Sequence, residues 1–193
     1  MNMKRLLPTI EEIKTAGAIF YDCDGVLTNN HVLVSEDGKE SAFFSRSDGL
    51  AISEFRKIGI HQAIISTEIN PIVAYRAEKL QIPVIYRLDS LSFDKGTVLK
   101  RYAAENRIDL GVSIFIGNDI NDLPALKLVG YPAAPNDAEE EIISFLHNRI
   151  ENCVSRTRQE KCNNSNIMGG WISTTSGGCG VVRELYRELI RNN

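Results

Sequence analysis

Asp22 and Asp24 stand two residues apart at the end of the apolar run Ala18-Ile19-Phe20-Tyr21, and Gly25 follows at once. Alternate residues of a strand share a face, and where a strand opens into a glycine turn both carboxylates can lean into one small site. Uncompensated, the pair repels, and a Mg2+ ion is the usual remedy. A nucleophilic carboxylate beside an acid/base carboxylate is what aspartyl-phosphate chemistry requires. A solvated turn or the start of a calcium loop is the competing reading. A calcium loop needs further acidic positions and a closing Glu at fixed offsets, which Val26, Leu27 and residues 29–35 do not supply.

Three further groups follow in an order that suits the same chemistry. Ser66 comes after the run Gln62-Ala63-Ile64-Ile65. Its hydroxyl and the N–H groups of the next turn can hold a phosphate, although a Ser there also suits a helix start. Lys95 opens a helix, where the dipole disfavours a cation and a nearby phosphate would offset the penalty. Gly117-Asn118-Asp119-Ile120-Asn121-Asp122 closes the apolar run 112–116. It offers oxygen ligands suited to Mg2+, or an Asx-rich turn capping a helix. All four groups fall near strand C-termini or helix starts, where open α/β sheets bind ligands.

The elements that must position them alternate between strand and helix patterns, which predicts an α/β fold with a mainly parallel, Rossmann-like sheet and helices on both faces. Strands are expected at 18–21, 62–65, 84–86, 112–116 and 131–134. Helices are expected from Asp48 as cap to about Lys57, from Pro71 behind the cap Asn70 to about Leu80, and from Phe93 or Asp94 to about Asn106. Further helices are expected over Asp122 to Val129, Ala138 to Leu146 and Gly180 to Ile190. The first of these should bury Leu50, Ile52 or Phe55, and Ile58, and end at Gly59. Asp37-Gly38 between two short apolar runs predicts a β-hairpin over about 28–45, beside the aspartate pair and placed as a flap. Residues 155–176 are polar and read as a long loop or surface insertion.

The 193 residues fit one domain, 1–193, with a sizeable core, and with no room for a large cap domain. A net charge of -3 gives no electrostatic case for nucleic acid. Residues 1–15 lack the apolar stretch of a signal peptide, and no run approaches bilayer length, so no membrane partner and a cytoplasmic location are expected. Cys23, Cys153, Cys162 and Cys179 match no common zinc spacing, and reduced thiols are the default. With no His near it in sequence, Cys23 is a poor candidate nucleophile.

The order Asp22-x-Asp24-Gly-Val-Leu-Thr28, Ser66, Lys95 and Gly117-Asn-Asp-x-x-Asp122 resembles the four motifs of haloacid dehalogenase superfamily phosphatases. More closely, the chain resembles the group of 3-deoxy-octulosonate 8-phosphate and nonulosonate 9-phosphate phosphatases. The segments 46–52, 64–71 and 75–80 and the glycine-rich 177–184 carry that similarity. It covers about residues 18–146 and 177–190. Asn118 stands where octulosonate phosphatases usually have Asp, which resembles the nonulosonate side and leaves the site one negative charge short.

The resemblance implies a Mg2+-dependent hydrolysis of the terminal phosphate of a 2-keto-3-deoxy sugar acid, with a nonulosonate 9-phosphate as the expected substrate. Asp22 would be the nucleophile and Asp24 the general acid and base. Dehalogenases lack an Asp at position 24, and transport ATPases have Thr there. The metal would be held by Asp22, the main-chain carbonyl of Asp24 and Asn118, with Asp119 as a further candidate and Asp122 behind. Ser66 and Lys95 would bind the phosphoryl group. Thr28, Thr67, Arg46 and Arg183 complete the candidate substrate contacts, while Arg76, on a helix, is better read as a salt-bridging surface residue. The group also implies a homotetramer whose neighbouring subunits complete the open site. An octulosonate 8-phosphate phosphatase is one alternative. The other is a catalytically silent oligomerisation module linked to a CMP-sugar synthetase, against which the intact Asp22, Asp24 and Lys95 argue.

Overall fold

The run that ends at Asp22 lies at the heart of a six-stranded sheet. A computed structural model describes residues 6–67, 69–86, 94–156 and 169–191. β1 (Ile19–Tyr21) pairs in parallel with β4 (Gln62–Ser66) on one side and with β6 (Ile114–Ile116) on the other. β5 (Val84–Tyr86) flanks β4, and β7 (Tyr131–Ala134) flanks β6. The edge beyond β7 is β8 (Trp171–Ile172), and the order is β5-β4-β1-β6-β7-β8, all parallel. Every residue of β1, β4, β6 and β7 is buried, as expected of strands covered on both faces.

Two apolar clusters sit on the two faces of the sheet. On one face Ile19, Tyr21, Ile64 and Ile116 meet α1 (Ile10–Ala16), α2 (Arg46–Lys57), α3 (Pro71–Leu80) and α7 (Val181–Arg191). On the other, Phe20, Ile65 and Phe115 meet α4 (Lys95–Asn106), α5 (Leu123–Leu126) and α6 (Glu140–Arg156). β2 (Thr28–Val34) and β3 (Glu40–Phe44) form a separate antiparallel hairpin turning through Gly38. It springs directly from the turn that carries Asp24.

Several boundaries differ from the expected ones, each for a local reason. α1 was not anticipated, although Thr9 and Glu12 form a capping box at its start. α2 begins at Arg46 with Ser45 as its cap, so Asp48 is not a cap but a buried residue of the first turn. The buried face of α2 is Ala51, Ile52 and Phe55, whereas Leu50 and Ile58 are exposed. The helix expected over 122–129 is shorter: a tight turn, Ile120–Asp122, leads into the four residues of α5. α6 runs on to Arg156, well past Leu146, because Cys153 is buried and the Arg149 guanidinium donates to the carbonyls of Val129, Gly130 and Gly169. Within the polar stretch, Trp171 and Ile172 form the edge strand. Glu68, residues 92–93 of the approach to Lys95, and Cys162, Ile167 and Met168 lie outside the described residues.

Between β8 and α7 the first residues of the segment are gathered by the carboxylate of Glu184. Glu184 accepts from the backbone N–H of Thr174 at 3.0 Å and from the hydroxyls of Thr174 and Thr175 at 2.8 Å each, and Ser173 Oγ donates to it as well. Burial pushes the Glu184 carboxyl up, but these hydrogen bonds outweigh it and hold it below its ordinary value of 4.5. A depressed folded pKa contributes stability above the unfolded pKa that is lost as pH falls through the folded one. Glu184→Gln is expected to lower unfolding stability at pH 7 by about 1.5–3 kcal/mol, the usual worth of a hydrogen bond to a charged group. In urea unfolding series the gap between wild type and variant should close as the pH drops below 4.5, and a gap independent of pH would rule out the carboxylate's charge as its source.

Candidate active site

The end of β1 leads into a π-type turn, Cys23–Leu27, whose non-helical interior is Asp24 and Gly25. Gly25 adopts φ +81°, a left-handed conformation that side chains rarely take. A Cβ on Gly25 would also run into the Asn118 amide, so the turn and the loop after β6 can approach only because that atom is missing. Thr28 closes the turn: its Oγ1 donates to Asp24 Oδ1 at 3.2 Å and accepts from Gly25 N at 3.3 Å.

Beside this turn lies a buried three-way ion pair. Lys95 Nζ is 2.6 Å from Asp22 Oδ1 and 2.6 Å from Asp122 Oδ1, and all three side chains are shielded from solvent. Asp94 supplies the helix cap that aims the first turn of α4, accepting from Thr97 N at 2.8 Å. Asp122 accepts from the backbone N–H groups of Asn118 at 2.9 Å and Asp119 at 3.2 Å, which folds the loop after β6. Burial, then the nearby Asp122, push the Asp22 carboxyl up to about 7, against the opposing pull of Lys95 and of the Cys23 N–H. Burial pulls the Lys95 ammonium down, but Asp22 and Asp122 together outweigh it and hold it above its ordinary value. Burial, with Asp24 and Asp22 beside it, pushes the Cys23 thiol far up, so it has no thiolate to act as nucleophile.

The Asn118 side-chain oxygen faces only acceptors. It lies 3.2 Å from Asp22 Oδ2 and 2.8 Å from the Asp24 carbonyl oxygen. Turned over, the amide would donate to both; unturned, its oxygen needs a cation between the three. Among the described residues no group of three His, Cys, Asp or Glu side chains is placed to hold a metal. The corner is instead one carboxylate, one main-chain carbonyl and one amide oxygen, a donor set that fits a hard divalent cation able to keep several waters.

These groups line a cleft of about 390 Å³, together with Ser66, Thr67, Asn70, Asp119 and Asn121 and, from the hairpin, Asn30, Val32, Glu40 and Phe44. Of the residues singled out in the sequence, Asp22, Asp24, Ser66, Thr67, Lys95, Asn118 and Asp119 meet there. Thr28 is buried behind Asp24 and does not line the cleft. Arg46 is exposed at the start of α2, and Arg183 stacks its guanidinium over Tyr186 beside a second cavity; neither lines the cleft of its own chain. Arg76 is not a surface ion pair: it donates to the Ser45 carbonyl at 3.1 Å and lies over the Phe44 ring. Glu40, and Asn70 as more than a helix cap, were not anticipated in the cleft. Asn70 Nδ2 donates to Glu40 Oε2 at 2.8 Å and ties the hairpin to the start of α3.

A parallel sheet whose central strand delivers a buried carboxylate to a lysine, with a second carboxylate two residues on, is an arrangement suited to phosphoryl transfer. The profile of the haloacid dehalogenase-like hydrolases matches residues 2–153, and the chain belongs to that family. It is 27% identical over 181 residues to the 3-deoxy-D-manno-octulosonate 8-phosphate phosphatase KdsC of Haemophilus influenzae, covering 94% of this chain and 86% of that one. It is 28% identical over 116 residues to N-acylneuraminate cytidylyltransferase A of Danio rerio; the match takes in 59% of this chain and only 26% of that protein. Among solved structures, a HAD-family protein of Streptomyces avermitilis is 35% identical with a TM-score of 0.72, over 93% of this chain and 86% of that one. The fold also matches that of 3-deoxy-D-manno-octulosonate 8-phosphate phosphatase from Moraxella catarrhalis in complex with a magnesium ion, a phosphate ion and KDO, at a TM-score of 0.71 and 24% identity, over 94% and 90% of the two chains.

Lys95→Ala would strand two buried carboxylates without their cation. Removing one partner of a buried ionic network typically costs about 3–5 kcal/mol, and a loss of that size is expected in urea unfolding at neutral pH. A loss under about 1 kcal/mol would mean that Lys95 does not neutralise the pair.

Proposed function

We propose that this chain is a Mg2+-dependent phosphatase acting on the terminal phosphate of a 2-keto-3-deoxy sugar acid, most simply a nonulosonate 9-phosphate. The observation that carries the reading is the Lys95 bridge to Asp22 with Asp24 two residues on, at the mouth of one cleft. The Asp22 carboxylate attacks phosphorus; the bond from phosphorus to the sugar oxygen breaks, its electron pair stays on that oxygen, and Asp24 protonates it. Asp24, now a carboxylate, takes a proton from water, which attacks the phosphorus. The bond to Asp22 breaks, and inorganic phosphate leaves. Lys95 and Ser66 bind the equatorial oxygens of the phosphoryl group and stabilise the charge that develops there. Thr28 holds Asp24 in place. Mg2+, held by Asp22, the Asp24 carbonyl and Asn118, would neutralise phosphoryl charge as a Lewis acid, with Asp119 and Asp122 supporting its ligands. The free, buried thiol of Cys23 suits a reducing, cytoplasmic setting.

The nonulosonate preference is supported by Asn118 in place of Asp and by the likeness to the cytidylyltransferase. The likeness to KdsC over nearly the whole chain favours an octulosonate 8-phosphate instead, and the two are separable by rate. Phosphate release from each sugar acid should be silenced by EDTA and restored by Mg2+, with kcat/KM higher for the nonulosonate 9-phosphate. A higher value for the octulosonate would reverse the assignment. Asp22→Asn should abolish turnover on both; residual Mg2+-dependent activity near that of wild type would exclude the aspartyl-phosphate route through Asp22, whereas a wild-type protein that releases phosphate from neither sugar acid would favour the silent module.

The same reading includes a homotetramer that walls the open cleft. It is supported by the apolar side chains that the hairpin leaves more than half exposed, Val32 and Val34 on one face and Leu33 and Phe43 on the other. Phe43→Ser with Leu33→Ser should release monomers in light scattering after gel filtration, and a variant of unchanged mass would remove the hairpin from the interface.

A further inference from the structure

The glycine-rich segment before α7 packs on the aspartate turn of its own chain. Gly178 N–H donates to the Val26 carbonyl at 2.9 Å. Gly177 sits so close to the Gly25 carbonyl that a Cβ there would overlap it. Gly178 has φ +68°, and a Cβ on it would lie 2.6 Å from the Thr28 carbonyl carbon. Gly25, the residue that follows Asp24, is therefore gripped from two sides, by Asn118 at its Cα and by Gly177 at its carbonyl.

The gripping segment is itself anchored. Asp137 Oδ1 accepts from Gly177 N at 2.9 Å. Asn136 Nδ2 donates to the Thr174 carbonyl at 2.6 Å, and Ser176 Oγ donates to Asn136 Oδ1 at 2.9 Å. Two residues after Asp137, Glu139 N donates to the Asn118 carbonyl at 2.8 Å, so one loop steadies both jaws. On the far side, Arg183 N donates to the buried Asp48 at 2.9 Å, which fixes the start of α7 on α2.

The geometry points to Gly177, Gly178 and Asp137 as positioning residues for Asp24: a strap, closed within one chain, that fixes Gly25 and the turn after it, and through them the placing of Asp24 for delivery of the proton to the leaving oxygen. This rests on the role of Asp24 given above. It assigns the glycines a part in proton transfer, distinct from contact with the sugar. A misplaced general acid matters most when the leaving group is a poor one, because a good leaving group departs without a proton.

The test uses a series of substituted phenyl phosphates of one size and falling leaving-group pKa, for which there is no sugar to recognise. The slope of log kcat/KM against leaving-group pKa is measured for wild type, Asp24→Asn, Asp137→Ala and Gly178→Ala. Asp137 is exposed, so its variant should fold even where the glycine variant does not; thermal unfolding and the oligomeric mass check both. Asp24→Asn should steepen the slope, since general acid help is worth roughly 10²–10⁴-fold. The strap variants should steepen it by a smaller amount, with about a tenfold loss on phenyl phosphate and less than about a twofold loss on 4-nitrophenyl phosphate, as expected for a group displaced by a fraction of an ångström. A folded Asp137→Ala variant with the wild-type slope, or with one uniform loss across the series, overturns the strap while Asp24→Asn still reports its own role. An unchanged slope in Asp24→Asn overturns the assignment of Asp24 itself.

Discussion

Lys95 brings two buried carboxylates together that would otherwise exclude each other. A buried ion pair contributes little net stability once desolvation is counted, but a buried carboxylate without its cation is costly. Everything around the cleft is consistent with keeping this ammonium in place. Asp94 caps α4 so that its first turn points at β1, and Gly96 lets that turn pass close to the Pro124 backbone. Asp122 spends its second oxygen on the N–H groups of the loop after β6, so the residue that holds Lys95 also holds Asn118. The electrostatic and the conformational roles of one side chain cannot be separated here.

The aspartate turn and the loop after β6 come together through main chain. The Asp24 carbonyl, the Gly25 Cα and the Gly117 Cα, which lies hard against Asp122, are positions where side-chain chemistry contributes nothing except absence. This explains which parts of the site were legible in the sequence. Asp22, Asp24, Lys95 and Asn118 could be read because each lies beside a strand or helix boundary whose signal is local. The contacts of Gly177 with the Asp24 turn could not, because they join distant parts of the chain and leave no periodic trace. Arg46 and Arg183, chosen by type and by similarity, lie away from the cleft of their own chain for the same reason.

The misjudged elements follow a related rule. Ser45 and Asp48 both resemble helix caps, and only packing against α7 decides that Asp48 goes inside. The pattern of α6 fades after Leu146, yet the helix continues because Arg149 finds three carbonyls and Cys153 finds the core. β8 is two residues long, too short for any alternation, and exists because β7 offers it an edge. The capping box of Thr9 and Glu12 was, by contrast, present in the sequence and sufficient to announce α1.

Asp48 gives the fold a timetable. Its amide partner at Arg183 lies 135 residues downstream, and the apolar face of α2 waits for Val181, Val182 and Leu185 of the same late helix. At a translation rate of about 5–20 residues per second, that interval is on the order of ten seconds. Throughout it the α2 face that bears Asp48 stays uncovered, next to a hairpin whose Val32, Leu33, Val34 and Phe43 are exposed. Asp22 and Lys95 can meet as soon as α4 has formed, whereas the α2 face is covered only when α7 emerges. Chaperone engagement during synthesis would fall in this window, on the α2 face.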